Sequence, residues 1–256
     1  MRIIGSDYDG TLSFGGITPE KCERIKKFRE SGNIFGIVSG RGADFCESLK
    51  KYHPSLKFDF FAVCNGGVVI DGDGKLISET HVSGVDTDAL FALLREHGCS
   101  SYHIRGINGD VFNVTVAVDA TENCPENLDP ASVTLLADVP RIESFNQISV
   151  RCTTVDEAVT VAGYINDQFG ELIVPLQNSN WIDVIPHGVN KAEGLYRVME
   201  HFGGRKEDVI AVGDNVNDVD MLREFHSYAM ANGVDEIKPL SNGIVSDVLE
   251  IFDLIK

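Results

Sequence analysis

The amino-acid sequence predicts an α/β protein whose parallel sheet is interrupted, along the chain, by a separate α+β unit. Strand-like apolar runs alternate with helical segments up to about residue 80 and again after residue 185, which favours a parallel sheet with crossover helices. Between them, several strand-like runs are grouped with few helices, as is typical of an α+β module. We therefore expect a split core at 1–82 and 185–256, with an inserted domain at 83–184.

The first core segment is predicted to contain three strands, two helices and a hairpin. Thr18 and Pro19 are typical of a helix start, and Gly32 of a helix end. The sequence Asp71-Gly72-Asp73-Gly74 predicts the turn of a hairpin. In order, the predicted elements are a strand at 2–6, a helix at 19–31, a strand at 34–38, a helix at 43–52, a strand at 58–63 and a hairpin at 68–77.

The remaining elements follow from apolar periodicity. In the inserted domain they are a helix at 86–97, strands at 102–107 and 111–118, an irregular segment at 119–131, a strand around 149–152, a helix at 155–169, and strands at 172–177 and 181–185. After Pro186-His187-Gly188, the alternating pattern returns with a helix at 190–202, a strand at 209–212, a helix at 218–225 and a strand at 228–230.

Composition narrows the classes of partner. The 256 residues are 43% hydrophobic, which is enough for a buried core, and 39 acidic against 22 basic residues give a net charge of −17. Such a charge disfavours nucleic acid as a partner, whereas a small anionic substrate would need a local cation. Neither a signal peptide nor an apolar run of membrane-spanning length is evident, so we expect a cytoplasmic protein.

The cysteines are scattered along the chain. No two of them form a Cys-x-x-Cys pair, which disfavours a structural zinc site and a dense disulfide framework, so free thiols are expected. They are Cys22, Cys46, Cys64, Cys99, Cys124 and Cys152.

Two carboxylates stand where the first strand ends, in Asp7-Tyr8-Asp9-Gly10-Thr11. Residues i and i+2 of a strand point the same way, and Gly10 allows the backbone to turn directly afterwards. At ~4 Å and an effective dielectric of ~20, two such charges repel by about 4 kcal/mol, so a cation or a proton must lie between them. The pattern suggests a covalent nucleophile with an acid/base partner; the alternative is an ordinary strand followed by a polar turn.

Polar residues also follow other core strands. Ser39 and Asn65 come after the second and third strands, and Gly213-Asp214-Asn215-Val216-Asn217-Asp218 follows the strand at 209–212. In parallel sheets, ligands bind beyond the carboxyl ends of the strands. Acidic and amide oxygens in one turn suit magnesium, although Asn and Asp also begin helices well. Lys191 lies near a predicted helix start, where an isolated lysine would be unremarkable.

Together, these segments resemble the haloacid dehalogenase superfamily of phosphotransferases. The shared motifs occur in the expected order: Asp7 to Thr11, Ser39-Gly40-Arg41, Lys191, and Gly213 to Asp218. Asn65-Gly66-Gly67, the following hairpin, Val189-Asn190-Lys191, Met221-Leu222 and Ala229-Met230-Ala231-Asn232 resemble its Cof-type branch. That branch has a Rossmann-like core with a mobile α/β cap, of C2B type, between the second and third motifs. Tyr8 and Asn190 depart from the branch, where an aliphatic residue and Ser are common.

The resemblance implies a two-step reaction. Asp7 would attack phosphorus to form an aspartyl-phosphate, while Asp9 would protonate the leaving oxygen and later activate water. Splitting the transfer in this way is useful only where the charge on the phosphoryl oxygens is neutralised.

The resemblance also implies a metal and a phosphate site. Mg²⁺ would be held by Asp7, the backbone carbonyl of Asp9 and Asp214, with Asp218 either a direct ligand or a contact of the ligands. Ser39 and Lys191 would hold the phosphoryl oxygens. The full expected set of substrate-binding residues is Gly10, Ser39, Gly40, Lys191 and Asn217.

The expected activity is a magnesium-dependent phosphatase that acts on a small phosphorylated metabolite, such as a sugar phosphate. One alternative is a phosphomutase or other phosphotransferase of the same superfamily, which would isomerise a sugar phosphate without releasing phosphate. Another is a phosphate-responsive module like the receiver domains, against which the chain length and the inserted domain count. The oligomeric state and the physiological substrate do not follow from the sequence.

Substrate choice is expected to reside in the inserted domain, because the core site is dedicated to the phosphoryl group. The polar and aromatic candidates there are His103, Arg105, Arg151, Asn178, Asn180 and Trp181. Asn65 and Asn232, at core strand ends, are candidates for lining the entrance.

Overall fold

The computed structural model describes residues 1–99, 101–106, 114–117, 133–135, 138–139 and 141–255. It divides into two compact units. The core unit comprises Met1–Glu79 and Val189–Lys256, and the inserted unit comprises Thr80–Gly188. These boundaries lie three and four residues from the predicted ones at 82/83 and 184/185.

The described residues form the following strands and helices, in chain order. The strands are β1 (Ile3–Ser6), β2 (Ile34–Val38), β3 (Phe60–Val63), β4 (Val68–Asp71), β5 (Leu76–Glu79), β6 (Val82–Ser83), β7 (Ser101–Arg105), β8 (Val114–Ala117), β9 (Val133–Leu135), β10 (Ser144–Phe145), β11 (Gln147–Arg151), β12 (Ile173–Asn178), β13 (Trp181–Pro186), β14 (Val209–Gly213), β15 (His226–Met230) and β16 (Gly243–Val245). The helices are α1 (Pro19–Glu30), α2 (Asp44–Tyr52), α3 (Thr87–Glu96), α4 (Val155–Phe169), α5 (Lys191–His201), α6 (Val219–Glu224) and α7 (Ile251–Leu254).

The core unit is built on a sheet of eight strands in the order β16-β15-β14-β1-β2-β3-β4-β5. The strands from β16 to β3 pair in parallel, whereas β3, β4 and β5 pair antiparallel. This mostly parallel sheet confirms the predicted α/β class. It also places the carboxyl ends of β14, β1, β2 and β3 side by side.

Both faces of the core sheet are covered. Ile4 and Ile37 belong to one apolar cluster and Ile3 and Val38 to another, because alternate residues of a strand point to opposite faces. Continuous apolar strands of this kind are typical of parallel sheets buried on both sides. The sheet is therefore a rigid platform for the loops at its carboxyl edge.

Helix starts follow the expected capping chemistry. The Thr18 side chain accepts a hydrogen bond from the amide of Lys21 at 3.2 Å, with Pro19 in the first turn of α1. In the inserted unit, Thr154 and Glu157 form a capping box at the start of α4. The predicted helix at 43–52 begins one residue later in the structure, at Asp44, and the helix at 190–202 begins at Lys191, with Asn190 as its cap.

Among its described residues, the inserted unit has a sheet of six strands in the order β12-β13-β11-β7-β8-β9. Adjacent strands are antiparallel except β8 and β9. Tyr102, Ile148 and Ile182 pack with residues of α3 and α4 in one apolar cluster. The alternate residues of these strands occupy the opposite face.

Some elements were not predicted. The edge strand β16, the short pair β6 and β10, the strand β9 and the helix α7 are at most four residues long, too short to give a periodic signal. The predicted irregular segment at 119–131 and Cys124 lie outside the described residues. None of the helices that the structure describes is long and apolar enough to cross a membrane.

Candidate active site

The candidate site is built where four parallel strands of the core unit end. In β1, Ser6 pairs with Val212 of β14 on one side and with Ile37 of β2 on the other. The residues that follow these strands therefore start from neighbouring positions. The amide of Asp7 donates a hydrogen bond to the carbonyl of Val212 at 2.9 Å, which fixes Asp7 beside the loop that follows β14.

Three carboxylates converge at this point. One oxygen from each of Asp7, Asp214 and Asp218 lies within 4.8 Å of the others. Asp7 and Asp218 are buried, and Asp214 is half-buried. Three negative charges so close together repel one another strongly unless a cation lies among them.

The ammonium of Lys191 supplies one such cation. Its Nζ donates to Oδ1 of Asp7 at 2.7 Å and to Oδ1 of Asp218 at 2.5 Å, and the side chain is buried. Burial alone would lower the pKa of Lys191, but the charges of Asp218 and Asp7 outweigh it and raise the pKa above its ordinary value. Lys191 is therefore a permanent cation shared by two acids.

Asp218 also organises the loop after β14. Its Oδ2 accepts hydrogen bonds from the backbone amides of Asp214 and Asn215, each at 2.9 Å. Thr11 donates its hydroxyl to Oδ1 of Asp214 at 2.7 Å. Both oxygens of Asp218 thus have protein donors, and Asp214 is oriented by the residue that ends the first motif.

One ammonium balances only part of the charge of the three acids. Burial, together with the carboxylates of Asp218 and Asp214, raises the pKa of Asp7 well above its ordinary value, despite Lys191. Burial and Asp218 also raise the pKa of Asp214. A group of hard oxygen donors with excess negative charge matches the preference of Mg²⁺, so these side chains fit that ion.

The carboxylate of Asp9 is not part of this group. It receives two hydrogen bonds from Arg41, from Nε to Oδ2 at 2.7 Å and from Nη2 to Oδ1 at 2.8 Å. Both side chains are about half exposed. Sequence reasoning gave Arg41 no role, although it follows Ser39 and Gly40 directly.

Gly10 is placed against the loop that follows β14. Its φ is +78°, and a Cβ atom there would lie 2.3 Å from Oδ2 of Asp214, so only glycine allows this approach. The carbonyl of Gly10 accepts a hydrogen bond from Nδ2 of Asn232 at 2.8 Å. Asn232, a candidate for lining an entrance, thus anchors the turn after Asp9.

Ser39 lies at the end of β2 and is buried. Its Oγ accepts a hydrogen bond from the Arg41 amide at 3.2 Å, and its carbonyl accepts one from the Asn65 amide at 3.0 Å. Gly40, which is half-buried, lies between Ser39 and Arg41 in this loop.

A left-handed turn follows β3. Cys64, Asn65 and Gly66 all have positive φ, of 52°, 53° and 93°. Nδ2 of Asn217 lies 3.4 Å from Oδ1 of Asn65, so this turn contacts both the loop after β2 and the loop after β14. Non-glycine residues in this conformation are uncommon and cluster at functional sites.

The candidates in the inserted unit are divided between two places. His103, Arg105, Arg151 and Trp181 lie on the face of its sheet opposite the helices, by strand alternation. On that face Arg105 donates to Ser149 Oγ at 2.7 Å. Asn178 ends β12, and Asn180 lies in the turn before β13, where its Nδ2 donates to the Cys152 carbonyl at 2.9 Å.

Comparison with known proteins gives matches over almost the whole chain. A family model described as haloacid dehalogenase-like hydrolase matches residues 4–250. The 5-amino-6-(5-phospho-D-ribitylamino)uracil phosphatase YitU of Bacillus subtilis is 30% identical over 274 aligned residues, covering 94% of this chain and 90% of YitU. The pyridoxal phosphate phosphatase YbhA of Escherichia coli is 27% identical, covering 96% of this chain and 93% of YbhA.

The fold has solved counterparts. A haloacid dehalogenase-like hydrolase from Bacteroides thetaiotaomicron superposes with a TM-score of 0.78, covering 100% of this chain and 99% of that chain, at 20% sequence identity. At this level of identity, the likeness shows the shared fold.

Proposed function

Because the chain belongs to the haloacid dehalogenase-like hydrolases, we propose that it is a magnesium-dependent phosphatase that hydrolyses small phosphomonoesters through an aspartyl-phosphate. The observation that carries the proposal is the convergence of Asp7, Asp214 and Asp218 around Lys191 at the carboxyl ends of parallel strands. Relatives whose names describe phosphatases of small phosphorylated compounds support the substrate class.

In the first step, a carboxylate oxygen of Asp7 attacks phosphorus as the ester P–O bond breaks. The leaving oxygen takes a proton from Asp9. In the second step, Asp9 takes a proton from water, whose oxygen attacks the same phosphorus and releases Asp7 and inorganic phosphate. Each step transfers one phosphoryl group and one proton, and Asp9 ends in its starting state.

Asp7, Asp214 and the carbonyl of Asp9 are our assignment for the direct ligands of Mg²⁺. When bound, the ion neutralises charge on the phosphoryl oxygens. Asp218 contributes indirectly, because its oxygens already accept from Lys191 and from two backbone amides. Lys191 lies against Asp7, so it is suited to hold a phosphoryl oxygen near the nucleophile.

Ser39, Gly10, Gly40 and Asn217 complete the proposed phosphoryl pocket. Ser39 is buried at the strand end, and its hydroxyl can donate to a phosphoryl oxygen while accepting from Arg41. The substrate itself is a phosphomonoester of a sugar, sugar alcohol or similar small molecule.

The proposal is tested by measuring phosphate release from p-nitrophenyl phosphate, with and without EDTA. Asp7→Asn should abolish release in the presence of Mg²⁺, and EDTA should abolish it in the wild type. Asp220→Asn, an exposed acid just past the same loop, should behave like the wild type. Substantial turnover by Asp7→Asn would show that another group is the nucleophile.

A panel of phosphorylated metabolites identifies the substrate. Hexose phosphates, pentitol phosphates and pyridoxal phosphate should be compared by kcat/KM, with products analysed in each case. Isomerised sugar phosphate without phosphate release would favour a mutase instead.

A further inference from the structure

We propose that Arg41 is a positioning residue for Asp9, holding the carboxylate in the place from which it exchanges a proton with the leaving oxygen. This inference rests on the proposed function. The observation behind it is the two-pronged contact in which Nε and Nη2 of Arg41 reach the two oxygens of Asp9 at 2.7 and 2.8 Å.

Two hydrogen bonds from a planar guanidinium define both the location and the plane of a carboxylate, which a single contact does not. An exposed ion pair as such contributes little to stability. The value of this pair therefore lies in geometry, because Asp9 stands two residues after Asp7 on a backbone that turns at Gly10. When Asp9 carries the proton for the first step, the protonated oxygen gives up its hydrogen bond from Arg41 and the other oxygen keeps the second one.

The guanidinium of Arg41 packs against the aromatic rings of Tyr8 and Phe45. Its guanidinium carbon lies 4.8 Å from the centre of the Phe45 ring and 5.9 Å from that of Tyr8. The two rings meet edge to face with centroids 4.6 Å apart. Such stacking restricts the guanidinium plane without using its donors.

The backbone of Arg41 is fixed as well. Its amide donates to Oγ of Ser39 at 3.2 Å, and its carbonyl accepts from the Cys64 amide at 2.8 Å. Arg41 thus links the proposed acid/base residue to the proposed phosphate loop and to the left-handed turn after β3. Tyr8, which departs from the aliphatic residue common in the Cof-type branch, is part of this linkage.

The test compares two substrates that differ in their need for a proton. p-Nitrophenolate leaves readily without one, whereas the alcohol of p-nitrobenzyl phosphate is a much weaker acid and requires protonation. Because kcat/KM covers steps only through the departure of the first product, it reports the acid role of Asp9 apart from the later water step. General acid catalysis contributes about 100-fold or more.

We expect Arg41→Ala to lower kcat/KM for p-nitrobenzyl phosphate by about 100-fold and for p-nitrophenyl phosphate by less than about fivefold. Arg41→Lys should show the same split, because an ammonium lacks the fork that fixes the carboxylate plane. In an Asp9→Asn background, Arg41→Ala should have almost no additional effect, since Arg41 acts through Asp9.

Arg24→Ala is the matched control. Arg24 also donates to an exposed acid, Asp253, at 2.6 Å, and its guanidinium carbon lies 5.7 Å from the Phe252 ring centre. The Arg24→Ala substitution should leave kcat/KM for both substrates unchanged.

Equal losses on the two substrates, additive losses in the Asp9→Asn background, or wild-type behaviour of Arg41→Lys would each overturn the assignment. If the wild-type enzyme hydrolyses both esters and Asp7→Asn neither, such a result counts against Arg41 alone. If the wild type hydrolyses neither, the proposed function fails and the role of Arg41 fails with it.

Discussion

Nζ of Lys191 lies 2.7 Å from Oδ1 of Asp7, although 184 residues separate them in the chain. The contact joins the two sequence segments of the core unit, since Asp7 follows β1 and Lys191 begins α5 after the inserted unit. Both side chains are buried. A charged contact of this kind makes stability and the proposed chemistry depend on the same atoms.

Removing the ammonium should strongly destabilise the protein. Lys191→Met leaves Asp7 and Asp218 facing each other in a buried site, so we expect the free energy of unfolding at neutral pH to fall by about 3–5 kcal/mol. Urea denaturation without divalent ions measures it. The exposed pair of Lys206 with Glu224, at 2.8 Å, is the control, and Lys206→Met should change stability by no more than the experimental error. A similar small change for both variants would contradict the prediction.

Magnesium should stabilise the folded state. In the proposed function Asp7 and Asp214 bind the ion, so Mg²⁺ at about 100 times its dissociation constant adds about 2.7 kcal/mol, which thermal unfolding detects as a higher Tm. Asp214→Asn should abolish the increase, because it removes one of the converging carboxylates. Asp235→Asn, at an exposed acid paired with Lys238, should retain it. A magnesium effect of equal size in both variants would place the ion elsewhere.

The stability of the ion-free protein should depend on the protonation of Asp7. Burial and the neighbouring acids raise its pKa well above 3.8, so the folded state holds the proton more tightly than the unfolded state does. The contribution of Asp7 to the free energy of unfolding therefore falls as pH rises from about 4 through the raised pKa. Asp7→Asn removes this dependence.

The measurement compares urea denaturation of the wild type and Asp7→Asn in EDTA, between about pH 4 and pH 7. Relative to the wild type, the variant should gain stability toward pH 7. If the difference in the free energy of unfolding between Asp7→Asn and the wild type stayed constant with pH, or changed in the opposite direction, Lys191 would compensate the charge of Asp7 fully.

The general layout of the site follows from the sequence because the carboxyl ends of parallel strands share one edge. Asp7, Ser39 and Asp214 each come directly after an apolar run that reads as a strand, so their side-by-side order depended only on the sheet topology. The α/β class was predictable because these apolar runs alternate with helical segments along the chain. Long apolar segments carry that signal, whereas the three-residue β16 does not.

Contacts made by side chains across loops were not predictable. The pairing of Arg41 with Asp9 depends on the path of the loop after β2 and on the aromatic rings beneath it. The positive φ of Cys64 is imposed by tertiary structure, since nothing in a cysteine favours that conformation. Such features appear only when the packing around them is known.

The turn after β3 should tolerate no side chain at Gly66. Its φ is +93°, and a Cβ atom there would lie 2.2 Å from the carbonyl oxygen of Asn190. Gly32 provides a matched control, because its φ is +83° and no atom lies within 4 Å of its Cβ position. Gly32→Ala should therefore lose only the roughly 1–2 kcal/mol of a strained backbone.

Gly66→Ala should lose clearly more, because the clashing carbonyl belongs to the residue that caps α5, directly before Lys191. Any shift that relieves the clash also moves Lys191 relative to Asp7, so the stabilisation by Mg²⁺ should weaken in Gly66→Ala and persist in Gly32→Ala. Urea denaturation and the magnesium-dependent change in Tm measure the two effects. Equal losses of stability in both alanine variants would mean that the turn and α5 can separate without cost, and that the close approach of Gly66 to Asn190 does not constrain Lys191.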